Sequence, residues 1–74
     1  MIQFYLESEY IELYKLLKLE GGASTGGEAK AMISGGLVKV NGEVELRKRK
    51  KLRASDSVEL EGYEINIIDS KGVA

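Results

Sequence analysis

The chain has 74 residues, of which 43% are hydrophobic, and its net charge is −1, without any cysteine or histidine. A chain of this length can bury only one small core, and it lacks thiolates, imidazoles and the base that histidine supplies near neutral pH. These properties predict a single domain over residues 1–74, argue against an enzyme, and exclude disulfide bonds and cysteine or histidine metal sites.

The charges are unevenly distributed along the chain. Residues 13–54 contain ten Lys or Arg and four Glu, whereas residues 1–12 contain three acids and residues 55–74 contain five acids and one Lys. Such a distribution lets a nearly neutral domain present one basic face, and phosphate is the natural partner of that face.

The N-terminal segment is short and apolar. Ile2–Leu6 predicts a first strand, and Ser8 is the predicted N-cap of a first helix that runs to about Leu19. Apolar residues repeat at helical spacing along this helix: Tyr10, Leu13, Leu16 and Leu17. Gly21 and Gly22 would end it, because glycine adopts the left-handed conformation of a C-terminal cap without steric cost.

The first residues also lack the cationic start and continuous apolar stretch of a signal peptide. The sequence holds no apolar run long enough to span a bilayer. We therefore expect a cytoplasmic protein.

A second helix is predicted to follow Thr25. Thr25-Gly-Gly-Glu28 has the spacing of a capping box, in which the Thr and Glu side chains satisfy backbone amides at the helix start. The buried face would consist of Ala29, Met32 and Ile33, and Gly35-Gly36 would end the helix.

From Leu37 onward the apolar residues alternate, which is typical of strands. Asn41-Gly42 lies between Val38 and Val40 on one side and Val44 and Leu46 on the other, and this pattern strongly predicts a two-residue hairpin turn. A second hairpin is predicted to pair residues 57–61 with residues 63–68 around Gly62. Residues 47–53 would form a loop and residues 70–74 a frayed tail.

The predicted element order is therefore β-α-α-β-β-β-β, with a core over about residues 10–67. This order indicates an α+β domain in which a helical pair packs on one face of a small, mainly antiparallel β-sheet.

The predicted loop over residues 47–53 is strongly basic. Six of its seven residues are cations: Arg47, Lys48, Arg49, Lys50, Lys51 and Arg53. In a loop, all six could turn toward one partner, and their mutual repulsion favours an anionic polymer as that partner. The alternative interpretation is a solvated surface loop.

Gly26 and Gly27 fall in the first turn of the second helix, where each glycine costs about 1 kcal/mol relative to alanine. They could expose backbone N–H groups to a phosphate oxygen, or they could let the first helix pass close by. The segment is not a nucleotide-binding P-loop, because Glu28 and Ala29 stand where that motif requires Lys and Ser or Thr.

Taken in order, these residues resemble a known family. The matching positions are Leu13-x-x-Leu16-Leu17-Lys18, Thr25-Gly-Gly-Glu-Ala29-Lys30-x-x-Ile33-x-x-Gly36-x-Val38-x-Val40-Asn41-Gly42, Lys51-Leu52 and Asp56-x-Val58. The pattern resembles the RNA-binding domain named after small-subunit ribosomal protein S-four, also called the alpha-L motif. The Gly-Gly-x-Ala-Lys start and the basic run are most similar to its small stand-alone bacterial branch (YbcJ/YaaA-type proteins).

The resemblance implies a two-helix alpha-L motif that binds structured RNA, typically ribosomal or transfer RNA, in ribosome assembly or translation. It implies no cofactor, no small-molecule substrate and no membrane. The resemblance implies contacts through the two helices and the first hairpin, where Arg47 to Arg53 would clamp phosphates and five residues would flank the RNA: Lys15, Lys18, Thr25, Lys30 and Lys39. Gly26 and Gly27 join these predicted contact residues through the exposed backbone N–H groups described above.

Three positions depart from the family pattern. Glu12 stands where members usually have a basic residue, Gly26 where many have Arg, and Ser55 where most have Gly. The first two departures remove positive charge, and the chain ends are acidic. A protein-interaction module of a ribosome-associated complex is therefore the alternative hypothesis.

Overall fold

The structure is a computed structural model that describes residues 2–20 and 22–70. Within these residues, two helices and seven strands follow one another in an order close to the predicted one. In chain order they are β1 (Ile2–Leu6), β2 (Ile11–Glu12), α1 (Leu13–Glu20), α2 (Gly26–Ser34), β3 (Val38–Val40), β4 (Glu43–Val44), β5 (Lys51–Leu52), β6 (Ser57–Leu60) and β7 (Tyr63–Asp69).

Five of the strands form one sheet with the order β1-β7-β6-β3-β4. The pairs β3·β4, β3·β6 and β6·β7 are antiparallel, and only β1 runs parallel to its neighbour β7. The remaining strands, β2 and β5, pair with each other in a separate two-stranded ladder. The prediction of an α+β fold with a mainly antiparallel sheet is therefore confirmed.

The core joins both helices to one face of the sheet. In α1 the predicted residues Leu13, Leu16 and Leu17 are fully buried, and in α2 so are Ala29 and Ile33. They belong to one apolar cluster with the inward-facing sheet residues Leu6, Val38, Val40, Val58, Leu60, Ile65 and Ile67. The helical pair thus covers this face of the sheet, as the sequence pattern predicts.

Both predicted hairpins are present with two-residue turns. Asn41 and Gly42 have φ of 52° and 88°, and Glu61 and Gly62 have φ of 44° and 87°. Positive φ at both central residues matches the right-handed twist of the flanking strands, which explains the preference for Asn-Gly at such a turn.

The predicted capping box of α2 is confirmed, with one shift. The Glu28 amide donates to Thr25 Oγ1 at 3.1 Å, and Glu28 Oε1 accepts from the Ser24 amide at 3.3 Å instead of the Thr25 amide. Gly35 caps the helix and Gly36 has a φ of 78°, so the predicted end is confirmed.

The predicted start of α1 at Ser8 is wrong. The Ser8 hydroxyl donates to the Tyr10 carbonyl at 2.8 Å, residues 11 and 12 form β2, and the helix begins at Leu13. The first two amides of α1 bond to main-chain carbonyls from a distant segment, and these carbonyls take the place of the predicted side-chain cap. Tyr10 consequently lies outside the helical stripe and is 39% exposed.

The ends of the other predicted elements differ in detail. Gly22 has a φ of 80°, as expected after α1, whereas Gly21 lies outside the described residues. Ser70 is not frayed, because its amide and its hydroxyl both donate to the Leu6 carbonyl, at 3.2 and 2.9 Å. The remainder of the predicted tail, residues 71–74, lies outside the described residues.

After the first turn, the residue that faces the core is a glutamate, and the valine and leucine residues beside it face solvent. The turn pairs Val40 with Glu43 and Lys39 with Val44, and the Glu45 amide donates to the Val38 carbonyl at 2.9 Å. Residues directly opposite share a face of a sheet, so Glu45 follows Val38 to the core side. Glu45 is 9% exposed, whereas Val44 and Leu46 are 52% and 59% exposed.

The buried Glu45 carboxylate is neutralised by Arg47. Its Oε2 accepts from Arg47 Nε at 2.8 Å and from the Arg47 amide at 3.0 Å, and its Oε1 accepts from Arg47 Nη2 at 3.0 Å. These bonds favour the ionised form and lower the pKa of Glu45 below its usual 4.5, against the opposing effect of burial.

Asn41 connects the first turn to the segment after β5. Its Nδ2 donates to Asp56 Oδ1 at 3.0 Å and its Oδ1 accepts from the Ser57 amide at 2.9 Å. Asp56 Oδ2 in turn accepts from the Arg53 amide at 2.8 Å. The family-like residues Asn41 and Asp56 therefore hold the chain conformation between Arg53 and β6.

This conformation places Ser55 at a φ of 82°, in the left-handed region. A residue with a Cβ there is disfavoured by about 1 kcal/mol relative to glycine. We expect Ser55→Gly to raise the free energy of unfolding by about 0.5–1 kcal/mol, since the gain is reduced by the greater freedom of glycine in the unfolded chain. Urea denaturation measures it. As a matched control, Gly42→Ser, at a φ of 88°, should lower the free energy of unfolding. If Ser55→Gly were less stable than the wild type, the left-handed conformation of Ser55 would not be a source of strain.

A second expectation concerns acid stability. Because the folded pKa of Glu45 is lowered, its contribution is complete above about 4.5 and is lost as the pH falls through the lower folded value. Glu45→Gln should lower the melting temperature at pH 7, and the gap to the wild type should close in acid. The exposed Glu43→Gln is the matched control and should retain the wild-type acid profile. A constant gap across the acid range would refute a role for the ionised carboxylate.

Candidate nucleic-acid interface

The segment from Arg47 to Arg53, called here the basic segment, is not the free loop that the sequence predicted. The Lys50 amide donates to the Arg47 carbonyl at 3.2 Å and closes a turn. The Leu13 and Tyr14 amides at the start of α1 donate to the Lys50 and Lys48 carbonyls at 2.9 and 3.1 Å. Main-chain bonds therefore fix the segment against the first helix.

The second half of the basic segment is a strand. In the β2·β5 ladder Ile11 pairs with Leu52 and Glu12 with Lys51, and Leu52 is fully buried. A strand directs alternate side chains to opposite sides. Leu52 therefore points into the core and its neighbours Lys51 and Arg53 point outward, so the segment is not the free loop that the sequence predicts.

Alternate cations of the segment lie on tyrosine rings. The Arg49 guanidinium carbon is 5.9 Å from the centre of the Tyr14 ring. Lys51 Nζ lies 4.8 Å, and the Arg53 guanidinium carbon 5.9 Å, from the centre of the Tyr10 ring. These distances fall within the range of cation–π attraction, which holds the positive groups in place while they face solvent.

Tyr14 also gathers cations from both helices. Lys15 Nζ lies 5.9 Å and Lys30 Nζ 4.8 Å from its ring centre. Lys18 lines the same surface depression as Tyr14 and Lys15. We call these residues, together with Arg49, the Tyr14 patch: Tyr14, Lys15, Lys18, Lys30 and Arg49. Three separate elements thus contribute positive charge around one ring.

The start of α2 borders this patch. A Cβ placed on Gly26 would lie 3.8 Å from Tyr14 Cδ2 and Cε2 and 3.8 Å from Lys18 Cδ, whereas one on Gly27 would lie 3.9 Å from Thr25 Oγ1. These are ordinary contact distances, so close helix packing does not require glycine at either position. The structure therefore argues against the interpretation that the two glycines are there to let the first helix pass close by. The side chain of Thr25, next to them, accepts the capping bond of α2.

Two of the predicted contact residues are neutralised within the protein. Arg47 forms the bidentate pair with Glu45, which raises the pKa of the Arg47 guanidinium above its usual value. Lys15 Nζ lies 3.2 Å from Glu12 Oε1. Glu12, where the family pattern has a basic residue, therefore reduces the net charge of the Tyr14 patch by pairing with one of its members.

The other predicted cations lie outside the patch. Lys48 is exposed in the turn, and Lys50 is half-buried and close enough to Glu45 to help lower the pKa of Glu45. Lys39 is exposed on the sheet face opposite the core, where it lies across from Glu59 and Val44. The structure does not bring Lys39 together with the other predicted residues.

The two tyrosines were not among the binding residues predicted from the sequence. The sequence pattern places Tyr10 in the apolar stripe of α1 and predicts no role for Tyr14. The sequence does contain a signal for a binding role of the two rings. Tyr10 and Tyr14 are four residues apart and are followed by Lys15 and Lys18. Aromatic residues interleaved with basic ones are typical of nucleic-acid surfaces.

Other kinds of site find little support in the described part of the chain. Residues 2–20 and 22–70 contain no group of three or more acidic, cysteine or histidine side chains placed to hold a metal ion. Neither of the two described helices is long and apolar enough to cross a membrane.

The chain is similar in sequence to two bacterial proteins of nearly the same length. A protein of Escherichia coli (strain K12) named "Putative RNA-binding protein YbcJ" is 44% identical over 59 residues, which are 80% of this chain and 84% of that protein. "Probable ribosome maturation protein RlbA" of Bacillus subtilis (strain 168) is 40% identical over 58 residues, 78% of this chain and 82% of that protein.

The fold is likewise similar to a solved one. The solution structure of YbcJ from E. coli, described as revealing an alpha-L motif involved in RNA binding, matches with a TM-score of 0.70 at 42% sequence identity. The match covers 92% of this chain and 87% of that chain. The sequence model of the S4 domain matches residues 4–68. The chain therefore belongs to the S4 domain family.

Proposed function

We propose that this protein is a single RNA-binding domain that binds structured RNA, without catalysis and without a cofactor. The observation that carries the proposal is the convergence of cations from α1, α2 and the basic segment on Tyr14. Main-chain bonds hold the basic segment to α1, and α2 packs with α1 in the same apolar cluster. A cluster of cations positioned in this way suits recognition of RNA shape and phosphate groups more than of base sequence.

The names of the relatives support a role at the ribosome. One relative is named as an RNA-binding protein and another as a ribosome maturation protein. We propose that the RNA is ribosomal or transfer RNA and that the protein acts in ribosome assembly or translation in the cytoplasm.

The proposed contact surface follows the geometry. It comprises the Tyr14 patch, the start of α2 at Gly26 and Gly27 with its cap Thr25, and the exposed cations of the basic segment: Lys48, Arg49, Lys51 and Arg53. Arg47 and Lys50 contribute mainly to the field of the segment, because they lie next to the Glu45 carboxylate. Lys39 is left out of the surface, because it lies across from Glu59 on the other face of the sheet.

A protein-interaction module is the second candidate, and one observation favours it. Glu59 and Glu64 face each other directly across β6 and β7. Like charges in such a pair are unfavourable by some tenths of a kcal/mol, and a basic partner would relieve them. Among the described residues of the sheet, only Lys39, which lies opposite Glu59 on β3, supplies a positive charge next to this pair.

Binding to structured RNA should depend strongly on salt, because each phosphate that the protein neutralises releases counterions. Contacts with three or four phosphates predict a slope of about −2 to −4 in a plot of log affinity against log salt. Lys30→Gln should make this slope shallower by about 0.7–0.9, the value for one lost phosphate contact. Fluorescence anisotropy at several salt concentrations measures both quantities.

Lys39→Gln is the matched control, since it removes the same charge from the opposite face of the sheet. It should leave the slope of the wild type unchanged. Equal effects of the two substitutions would place the contact surface elsewhere, and an affinity independent of salt would reject the electrostatic basis of the proposal. If a protein partner binds at Glu59 and Glu64, replacing these residues by Gln should lower its affinity, whereas Lys30→Gln should leave that affinity unchanged.

Gly26→Ala tests whether the start of α2 accepts a phosphate. The added methyl group has room in the protein, so helix propensity should raise stability by up to about 1 kcal/mol. RNA affinity should fall, because the methyl group covers the approach to the first backbone amides of α2. Thermal denaturation and RNA titration of the same sample measure the two effects. A more stable variant with wild-type affinity would exclude phosphate binding at this turn.

A further inference from the structure

We propose that Tyr10 and Tyr14 are stacking platforms for unpaired bases, so that the preferred RNA carries a single-stranded stretch beside its structured part. This inference rests on the proposed RNA-binding function and extends it to the class of RNA. It depends on how the two rings are placed along the basic segment.

The β2·β5 ladder sets the order of the rings. The antiparallel ladder pairs Ile11 with Leu52 and Glu12 with Lys51, so Tyr10 and Arg53 flank it at one end. At the other end the Leu13 and Tyr14 amides donate to the Lys50 and Lys48 carbonyls, which brings the start of α1 beside the turn that carries Arg49. Tyr14 accordingly lies beside Arg49, and Tyr10 beside Lys51 and Arg53. Two clusters of ring and cation thus follow one another along the basic segment, and together they are called here the aromatic track: Tyr10, Tyr14, Arg49, Lys51 and Arg53.

Lys51 and Arg53 lie on either side of the buried Leu52, so their side chains share the outward face of β5 and are about 7 Å apart. Arg49 precedes them in the turn closed by the Lys50 amide and the Arg47 carbonyl, and it reaches Tyr14 from there. Duplex phosphates could be bound by positive charge alone. An aromatic ring beside each cation adds a surface that every nucleobase can stack on, and this combination is what single-stranded nucleic-acid sites use.

The exposure of the rings fits this role. Tyr10 is 39% exposed and Tyr14 is half-buried, so each ring keeps surface available to a ligand while its remaining surface contacts the protein. Tyr5 provides a contrast. It is 50% exposed, but its hydroxyl donates to Gln3 Oε1 at 3.0 Å and it lies on β1, away from the basic segment.

The test compares two RNAs with the wild-type protein: a blunt RNA duplex and the same duplex with a short unpaired overhang. We expect the overhang to tighten binding about five-fold or more, which corresponds to one stacked base. The ring proton resonances of Tyr10 and Tyr14 should move upfield with the overhang RNA only, because a stacked base imposes its ring current. The Tyr5 resonances should stay in place with both RNAs.

Substitutions separate stacking from a purely structural use of the rings. Tyr10→Phe should retain the preference for the overhang, whereas Tyr10→Leu should remove it by weakening the overhang RNA more than the blunt duplex. If the ring serves only to position Lys51 and Arg53, Tyr10→Leu should weaken both RNAs alike and make the salt slope shallower, and that result would overturn the inference.

The outcomes also separate this inference from the function on which it rests. The stacking role is overturned if the two RNAs bind with equal affinity, or if the overhang is preferred without a shift of the Tyr10 or Tyr14 ring resonances. Either result leaves the proposed function standing. Failure of the wild type to bind either RNA at low salt overturns both.

Discussion

Two main-chain hydrogen bonds, from the first amides of α1 to the carbonyls of Lys50 and Lys48, determine how the basic surface is assembled. They satisfy two of the four donors that a helix start leaves open, and at the same time they hold a strongly cationic segment against the helix. The mutual repulsion of the cations is opposed by bonds that involve no charged side chain. Arg49 reaches Tyr14 only because the segment is held there, and Lys30 reaches the same ring from α2.

The sequence predicts well those features that depend on neighbouring residues. The capping box at Thr25 and Glu28 and the turn at Asn41-Gly42 are each determined within about four residues, and both are present. The start of α1 is different, because its amides find acceptors more than thirty residues further along the chain. Ser8 is a reasonable cap by residue type, but it forms a local bond to Tyr10, and no short-range pattern distinguishes the two arrangements.

The buried Glu45 could have been predicted from the turn itself. A two-residue turn places Val40 opposite Glu43, and continuing the register places Glu45 beside Val38 on the core side. The apolar character of Val44 and Leu46 obscured this geometry. For the candidate interface, residue type identified the cations, but pairing partners decide their effective charge: Glu45 engages Arg47, and Glu12 engages Lys15. The sequence shows the two tyrosines among basic residues, but the cations that each ring contacts depend on the antiparallel pairing of β2 and β5.

The pairing of β2 with β5 has a consequence for how such a surface changes in evolution. Ladder hydrogen bonds use main-chain atoms, and the segment is anchored inward by Leu52, so the conformation of the segment does not depend on which side chains point outward. Cations can therefore be exchanged, lost or added at the outward positions without loss of the fold. The surface charge of such a scaffold can change by single substitutions, while Leu52 and the main-chain ladder keep the segment in place.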